Sequence, residues 1–225
     1  MPSETRLTPH VFLGVLTVLG VVALIVSLDT APPVARTQLR TAAANTVGAS
    51  SYVLTYTDIV TTAGHTSRAV LRFFYQSPDR VEEEAISAAG QQVRYLEIGP
   101  YRYEQVGATA PWQAVGTVDP NVSWGKQGAE TVSKPLSEIA KATSVTGHGD
   151  TFSFVPADEN DFVLSVLAFQ PAQFTAGSLA FTGTVDGEYL THIVASAARG
   201  ALHFQAVLDV SQLDHVPSLV RPTAG

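Results

Sequence analysis

The chain of 225 residues contains no cysteine. This absence excludes disulfide bonds, thiolate metal sites, a cysteine nucleophile and a lipid attached through an N-terminal cysteine. Thiol usage therefore says nothing about the redox compartment in which the protein works.

Basic residues are also few. The chain has 13 Lys and Arg against 20 Asp and Glu, which gives a formal net charge of −7. Binding to a phosphate backbone requires clustered Lys and Arg, and no such run is present. We therefore expect no nucleic-acid partner.

The familiar catalytic motifs are missing as well. The sequence contains no Gly-x-Ser-x-Gly elbow, no phosphate-binding loop and no Gly-x-Gly-x-x-Gly. The histidines at positions 10, 65, 148, 192, 203 and 215 lack the paired spacing of a metal site, and the acidic run at 158–161 lacks the spacing of a calcium loop. We predict no catalytic residue, no metal and no cofactor.

One long apolar run is present near the N-terminus. Val11 to Leu28 contains eighteen residues without a charge, enough to span a bilayer. We predict a single-pass anchor at 11–28 in the cell membrane, a cytoplasmic head at 1–10, a linker at 29–35 and an extracytoplasmic remainder. A cleaved signal peptide and a buried core helix are the alternatives, although Pro32 and Pro33 make cleavage after Ala31 unfavourable.

The periodicity after the linker changes from helical to alternating. Arg36 to Val47 has the composition of a helix, and alternation from Ser50 onward predicts most of the strands. A short helix at 134–142, capped by Ser133, interrupts the strands, and 158–175 is predicted to be irregular. The acidic residues at 82–84 suggest a strand end whose charges discourage edge pairing.

The alternation also assigns side chains to faces. Leu71, Phe73 and Tyr75 share one face of their strand, whereas Phe74 lies on the opposite face with Arg72. Eight or more antiparallel strands with one apolar face must curl around something, either the helices or a ligand. The pattern therefore predicts an α+β fold.

Several segments together resemble a known family. SYVLTYT, RAVLRFFYQSPDRVE, YLEIGPYRYEQ with PWQAV, SKPLSEIAKATSVTGHGDTFSF and the closing GTVDGEYLTHIVASAARGALHFQAVLDVSQL occur in the order of the LolA/LolB-type periplasmic lipoprotein carriers. They are nearer to the LppX/LprG-type lipoproteins. The resemblance covers roughly residues 36–220, which leaves 221–225 as a tail, and the chain departs from those lipoproteins in lacking the lipobox cysteine.

The resemblance implies a strongly curved antiparallel half-barrel sheet, with helices on its concave face and an apolar cavity for a lipid or glycolipid. It places Arg80 in a structural turn and makes the helix at 134–142 a lid that acts as a gate. The implied cavity residues are Tyr52, Leu54, Tyr56, Leu71, Phe73, Tyr75, Leu96, Ile98, Tyr101, Tyr103, Leu136 and Ile139.

Two interpretations of these side chains stay open, because a cavity and a packed core have the same alternation. In the first, the protein binds a lipid or lipidated molecule and presents or transfers it. In the second, the same fold is packed solid and recognises a protein or polymer of the cell envelope. An enzyme is the third and least favoured alternative.

Overall fold

The computed structural model describes residues 33–86, 92–115 and 121–222. The predicted anchor at 11–28, the head at 1–10 and most of the linker at 29–35 lie outside these residues, as does most of the tail at 221–225. No helix in the described ranges combines the length and the apolar character needed to cross a bilayer.

Within the described ranges, eleven strands form one antiparallel sheet. They are β1 Ser51–Thr62, β2 His65–Gln76, β3 Arg80–Ile86, β4 Gln92–Ile98, β5 Tyr101–Val106, β6 Gln113–Ala114, β7 Ser144–His148, β8 Thr151–Val155, β9 Ala180–Asp186, β10 Tyr189–Arg199 and β11 Leu202–Ser211. Their spatial order is β6-β5-β4-β3-β2-β1-β11-β10-β9-β8-β7. The first and last strands therefore pair in the middle of the sheet and join its two arms.

The β1–β2 hairpin fixes which side chains share a face. Leu54 pairs with Phe73 and Tyr56 with Leu71, so all four point to the same side. We call this side the inner face and the opposite side the outer face. The face assignment predicted for the second strand is confirmed by this register.

In the part of the chain that the structure describes, three α-helices pack against the inner face. They are α1 Pro33–Gly48, α2 Trp124–Ala140 and α3 Glu159–Leu167. Helix α1 lies on β7, β9 and β10, α2 lies on β2 to β5, and α3 lies on β10 and β11. Because α1 also contacts α2, the two arms of the sheet share a single core.

The predicted boundaries of the second helix were wrong. Helix α2 begins at Trp124 rather than after Ser133, and its N-cap is Ser123, whose hydroxyl accepts a hydrogen bond from the Lys126 N–H at 3.3 Å. Pro135 therefore lies inside the helix instead of in its first turn. The two glycines of the first turns, Gly125 and Gly128, weaken the helical pattern that the sequence presents.

The prediction of an irregular segment at 158–175 was wrong for its first half. Asp158 caps α3 by accepting a hydrogen bond from the Asp161 N–H at 2.9 Å. Glu159 and Asp161 also carry negative charge in the first turn, where the helix dipole favours it. The acidic run is therefore a helix start.

The prediction that residues 82–84 end a strand at an edge was also wrong. They lie in the middle of β3, which runs between β2 and β4. On the outer face, Arg94 Nε donates to Glu82 Oε1 at 2.7 Å and Arg72 Nη1 donates to Glu84 Oε2 at 3.1 Å. These ion pairs let two glutamates occupy an interior strand, while Glu83 points to the inner face.

The main core fills the space between the helices and the inner face. Its largest fully buried side chains include Tyr52, Leu39, Leu136, Ile139, Phe152, Phe162, Leu190, Ile193 and Leu208. The rings of Phe154, Phe162 and Phe181 pack on one another with centroids 5.3 to 5.9 Å apart. Burial of these apolar side chains provides most of the driving force for folding.

A second, smaller cluster lies on the outer face. Leu96, Ile98 and Leu219 form its buried part, and Phe74, Tyr103 and Trp112 pack against them. The C-terminal segment is held there because the Leu219 N–H donates to Gln76 Oε1 at 3.1 Å and Arg80 Nη1 donates to the Leu219 carbonyl at 2.8 Å.

Candidate functional site

An apolar cavity of about 270 Å³ lies between the β1–β2 hairpin and the helices. Its lining comprises Leu54, Tyr56, Asp58, Leu71, Phe73, Thr131, Val132, Pro135, Ser165, Ala168 and Leu208. Strands β1, β2 and β11 supply the floor, α2 supplies the roof, and the C-terminal end of α3 closes one side. We call this cavity the tyrosine lobe.

A second cavity of about 230 Å³ lies farther along α2, over β3 and β4. It is lined by Phe73, Val81, Glu83, Tyr95, Glu97, Trp124, Gln127, Gly128, Thr131 and Val132. We call it the acidic lobe. The two lobes share Phe73, Thr131 and Val132, so they adjoin at that point.

The roof of the acidic lobe is held in place at its N-terminal end. The Gly125 N–H donates to the Gly99 carbonyl at 2.8 Å, and the Gly99 N–H donates to the Asp79 carbonyl at 3.0 Å. A Cβ at Gly125 would lie 1.8 Å from the Asp79 carbonyl oxygen. Only glycine therefore lets α2 approach these two strand turns so closely.

The carboxylates of the acidic lobe lie in a half-buried environment. Burial raises the pKa of Glu83 and of Glu97, and the Arg102 guanidinium opposes that rise in both. Arg102 Nε is 3.5 Å from Glu97 Oε1. The same guanidinium lies over the rings of Tyr95, at 4.9 Å, and Trp124, at 5.3 Å.

The tyrosine lobe has one polar edge. The Tyr56 hydroxyl donates to Asp58 Oδ1 at 3.3 Å. Burial raises the pKa of Asp58, and the hydrogen bond from Tyr56 acts in the opposite direction. Burial, followed by the neighbouring Asp58 charge, raises the pKa of Tyr56, so Tyr56 stays protonated at neutral pH.

The structure divides the twelve candidate cavity residues into three groups of four. Leu54, Tyr56, Leu71 and Phe73 line the tyrosine lobe. Tyr52, Tyr75, Leu136 and Ile139 are buried in the main core and line neither lobe. The rings of Tyr52 and Tyr75 pack with centroids 4.6 Å apart, and the Tyr52 hydroxyl has no hydrogen-bond partner within the described ranges.

The remaining four candidates, Leu96, Ile98, Tyr101 and Tyr103, lie on the outer face. Glu97 on β4 pairs with Val81, which puts Glu97 on the inner face and its neighbours Leu96 and Ile98 on the outer one. Leu96 pairs with Tyr103 and Ile98 pairs with Tyr101. These four side chains therefore point away from both lobes, toward the C-terminal segment and the loop that carries Trp112.

Several lining residues were not identified from the sequence. Glu83 and Glu97 were detectable in principle, because each occupies an alternate position on its strand and pairs with an inner-face residue, Phe73 and Val81 respectively. Trp124, Gln127 and Gly128 were not, because they precede the helix predicted at 134–142. Ser165 and Ala168 depend on α3, which was not predicted.

The described residues contain no group of three or more His, Asp or Glu side chains placed to hold a metal ion. What the site offers is a mostly apolar surface with aromatic walls, two carboxylates in the acidic lobe and one, Asp58, at the polar edge of the tyrosine lobe. Such a surface excludes water from an apolar chain and leaves the polar part of a ligand near ionisable groups.

Comparison with known proteins identifies a fold but no sequence family. No protein-family model and no curated protein matches the chain. Among solved structures, LprF from Mycobacterium bovis matches with a TM-score of 0.53 at 12% identity, covering 87% of this chain and 100% of LprF.

Two further solved structures match at lower scores. The LolA superfamily protein NE2245 from Nitrosomonas europaea has a TM-score of 0.34 at 10% identity, covering 79% of this chain and 91% of its own. A DUF1329 family protein from Desulfovibrio piger also scores 0.34, at 9% identity, covering 85% and 96%. The match to LprF shows that the chain has an LprF-like α+β fold, and the resemblance stated from the sequence is confirmed at the level of the fold.

Proposed function

We propose that this protein is a membrane-anchored, extracytoplasmic binding protein that holds the apolar chain of a lipid or lipidated molecule beneath α2 and presents or transfers it. The observation that carries the proposal is the pair of adjoining cavities between α2 and the inner face. The uncharged run at 11–28 supports the anchor.

The volumes of the two lobes indicate that a single ligand would occupy both. Each lobe, at about 230 and 270 Å³, is slightly smaller than the roughly 300–1,000 Å³ of typical small-molecule sites. A ligand of ordinary size would therefore occupy both. Burial of the apolar chain contributes about 0.8 kcal/mol per methylene group to the free energy of binding. The binding is non-covalent, so no bond forms or breaks.

The contacts of α2 favour a fixed roof over a moving gate. Its N-terminal turn is bonded to Gly99, and at its other end Arg40 Nε donates to the Ala140 carbonyl at 2.9 Å. Leu136 and Ile139 are fully buried. We therefore propose that a ligand enters beside the exposed side chains of Gln127 and Thr131 rather than by displacement of the whole helix.

The test is native mass spectrometry of the full chain, taken from its own membrane in an amphipathic polymer and followed by organic extraction. We expect one defined lipid per chain. Ser165→Phe should reduce the bound fraction, because Ser165 is exposed and lines the tyrosine lobe.

The matched control is Leu164→Phe. Leu164 is the preceding residue on α3, is 45% exposed and does not line the lobe. Protein that carries no lipid, or two variants that lose lipid equally, would contradict the proposal.

A second candidate is an envelope interaction module without a lipid ligand. The observation in its favour is a group of exposed apolar side chains near the β5–β6 edge, comprising Tyr101, Val106 and Val115. Strand β6 covers only two residues of β5, which leaves much of that edge unpaired in the described part of the chain. A stoichiometric polypeptide, recovered without lipid in the same experiment, would support this candidate instead.

A further inference from the structure

The charges of the cavity have one sign. The charged side chains that line the two lobes are Asp58, Glu83 and Glu97, and all three are acidic. Helix α2 contributes the neutral side chains Gln127 and Thr131 to the same walls. Its basic residues are engaged elsewhere, Lys126 with Glu130 at 3.8 Å and Lys134 with Asp161 at 3.0 Å.

The cation beside Glu97 on the inner face is Arg102, and it already has partners. Arg102 is paired with Glu97 and stacked over Tyr95 and Trp124. Glu104 adds a further carboxylate to the same face, in register with Tyr95 and hydrogen-bonded to its hydroxyl. An anionic group that entered the acidic lobe would therefore meet an excess of carboxylates that Arg102 does not offset.

Three residues form the junction between the two lobes. Phe73 belongs to β2 and Thr131 and Val132 belong to α2, and all three line both lobes. We call these three residues the neck. On the tyrosine side of the neck, Leu54, Leu71 and Leu208 make most of the wall apolar, and the carboxylate of Asp58 accepts a hydrogen bond from Tyr56. The acidic side carries Glu83, Glu97 and Gln127.

We propose that the ligand is a single-chain amphiphile whose polar end is not anionic, with its chain in the tyrosine lobe, its polar end in the acidic lobe and Phe73 admitting only one chain between them. This inference rests on the proposed function, because it specifies the class of ligand held in the same cavity. The raised pKa values of Glu83 and Glu97 agree with it, since a further negative charge would oppose their ionisation still more.

The first experiment measures binding of hexadecanol, hexadecylamine and hexadecanoic acid, which have the same chain length. It uses the full chain held in solution by an amphipathic polymer, because detergent would compete for the cavity. We expect the acid to bind about tenfold more weakly than the alcohol at neutral pH, and the amine at least as tightly as the alcohol.

The charge variant is Glu83→Gln with Glu97→Gln, which should remove most of the difference between acid and alcohol. The control with the same change of net charge is Glu130→Gln with Glu159→Gln, both exposed and outside the lobes, and it should preserve the difference. Equal binding of acid and alcohol to the unmodified chain would overturn the charge selection.

The second experiment tests the neck with dipalmitoylglycerol, which carries two chains. The unmodified protein should bind it at least about tenfold more weakly than hexadecanol, and Phe73→Ala should narrow that gap. Phe74→Ala, the adjacent residue on the outer face, is the control and should leave the gap unchanged. Equal binding of dipalmitoylglycerol and hexadecanol to the unmodified chain would show that the neck does not exclude a second chain.

These experiments distinguish failure of the proposed function from failure of the inference about the ligand class. If none of the four probes binds, the proposed function fails. If all four bind with equal affinity, the lipid-binding function stands and the inference about the ligand class is overturned.

Discussion

The inner and outer faces of β2 to β5 differ in what covers them. On the outer face, the C-terminal segment and the loop with Trp112 pack directly on Leu96 and Ile98, which are 3% and 7% exposed. On the inner face, α2 leaves two lobes open above Phe73 and its neighbours. On β4, Leu96 and Ile98 thus lie on the filled face, and Glu97 lies on the face that borders the cavity.

This difference shows what alternation can and cannot establish. Period-two alternation identifies which side chains share a face, but it does not reveal which element covers that face. Leu96 and Ile98 are apolar because the chain's own terminus packs on them. Glu83 and Glu97 border the space that α2 leaves open, and Glu97 is also paired with Arg102.

The largest expected effect is a difference in stability between leucine-to-alanine substitutions on the outer face and on the inner face. Leu96→Ala should lower the free energy of unfolding by about 3 kcal/mol, because it creates a cavity in a filled cluster. Leu71→Ala should lower it by only about 1 kcal/mol, because Leu71 is half-buried beside existing space. Urea unfolding of the two variants measures the difference.

The same pair should show the reverse order in ligand binding. Leu71→Ala should weaken binding of hexadecanol, and Leu96→Ala should leave it unchanged at temperatures where the variant is folded. Equal losses of stability at the two positions would contradict the distinction between a filled and an open face.

A smaller effect tests how α2 is held over the inner face. Gly125→Ala should lower the free energy of unfolding by about 2 kcal/mol, because the new Cβ would clash with the backbone of Asp79 and Gly99. Gly128→Ala, one turn later, places its Cβ 2.3 Å from Glu97 Oε2, the end of a flexible side chain. Gly128→Ala should change the free energy of unfolding by less than about 0.5 kcal/mol, because the higher helix propensity of alanine offsets the displacement of Glu97.

Thermal unfolding of the two glycine variants measures these costs. Gly128→Ala should also alter binding of the alcohol probe, because it moves a carboxylate that lines the acidic lobe. A stability loss at Gly128 as large as that at Gly125 would mean that α2 is equally constrained along both turns.

The smallest expected effect concerns pH. Glu83 and Glu97 have folded-state pKa values above the ordinary 4.5, so the folded chain holds their protons more tightly than the unfolded chain. Their contribution to stability therefore declines as pH rises from 4.5 through the raised values. Glu83→Gln with Glu97→Gln should flatten this decline, as measured by urea unfolding across that range.

The comparison with the unmodified chain isolates these two groups from Asp58, whose pKa is also raised, and from Asp214, whose pKa is lowered by hydrogen bonds from Ser50. Arg102, Tyr95 and Glu104 face the same carboxylates and remain in both proteins. A steeper decline in the variant would contradict the sign of the effect.

Much of the sheet was predictable from the sequence. The turns at Gly64, Gly99 and Gly187 have positive φ angles that suit glycine, and alternation marks the strands between them. The closing strands β9, β10 and β11 form an antiparallel meander. The pairing of β1 with β11 was not predictable from local pattern, because it joins residues at opposite ends of the described chain.

The helices and the site were less predictable. Helix α2 contains Gly125, Gly128 and Pro135, so its local propensity is weak and its packing on the strands must stabilise it. Its misplaced start removed Trp124 and Gln127 from the predicted site. The start of α3 was visible in principle, since an N-cap aspartate before acidic residues is a recognised helix signal.

The most direct test uses the two tryptophans of the chain, Trp112 and Trp124. Trp124 lines the acidic lobe, whereas Trp112 packs in the outer-face cluster. Hexadecanol brominated near its polar end should quench the fluorescence of Trp124 in Trp112→Phe and leave Trp112 unquenched in Trp124→Phe. Saturable binding that quenches Trp112 but spares Trp124 would contradict the claim that the ligand lies beneath α2.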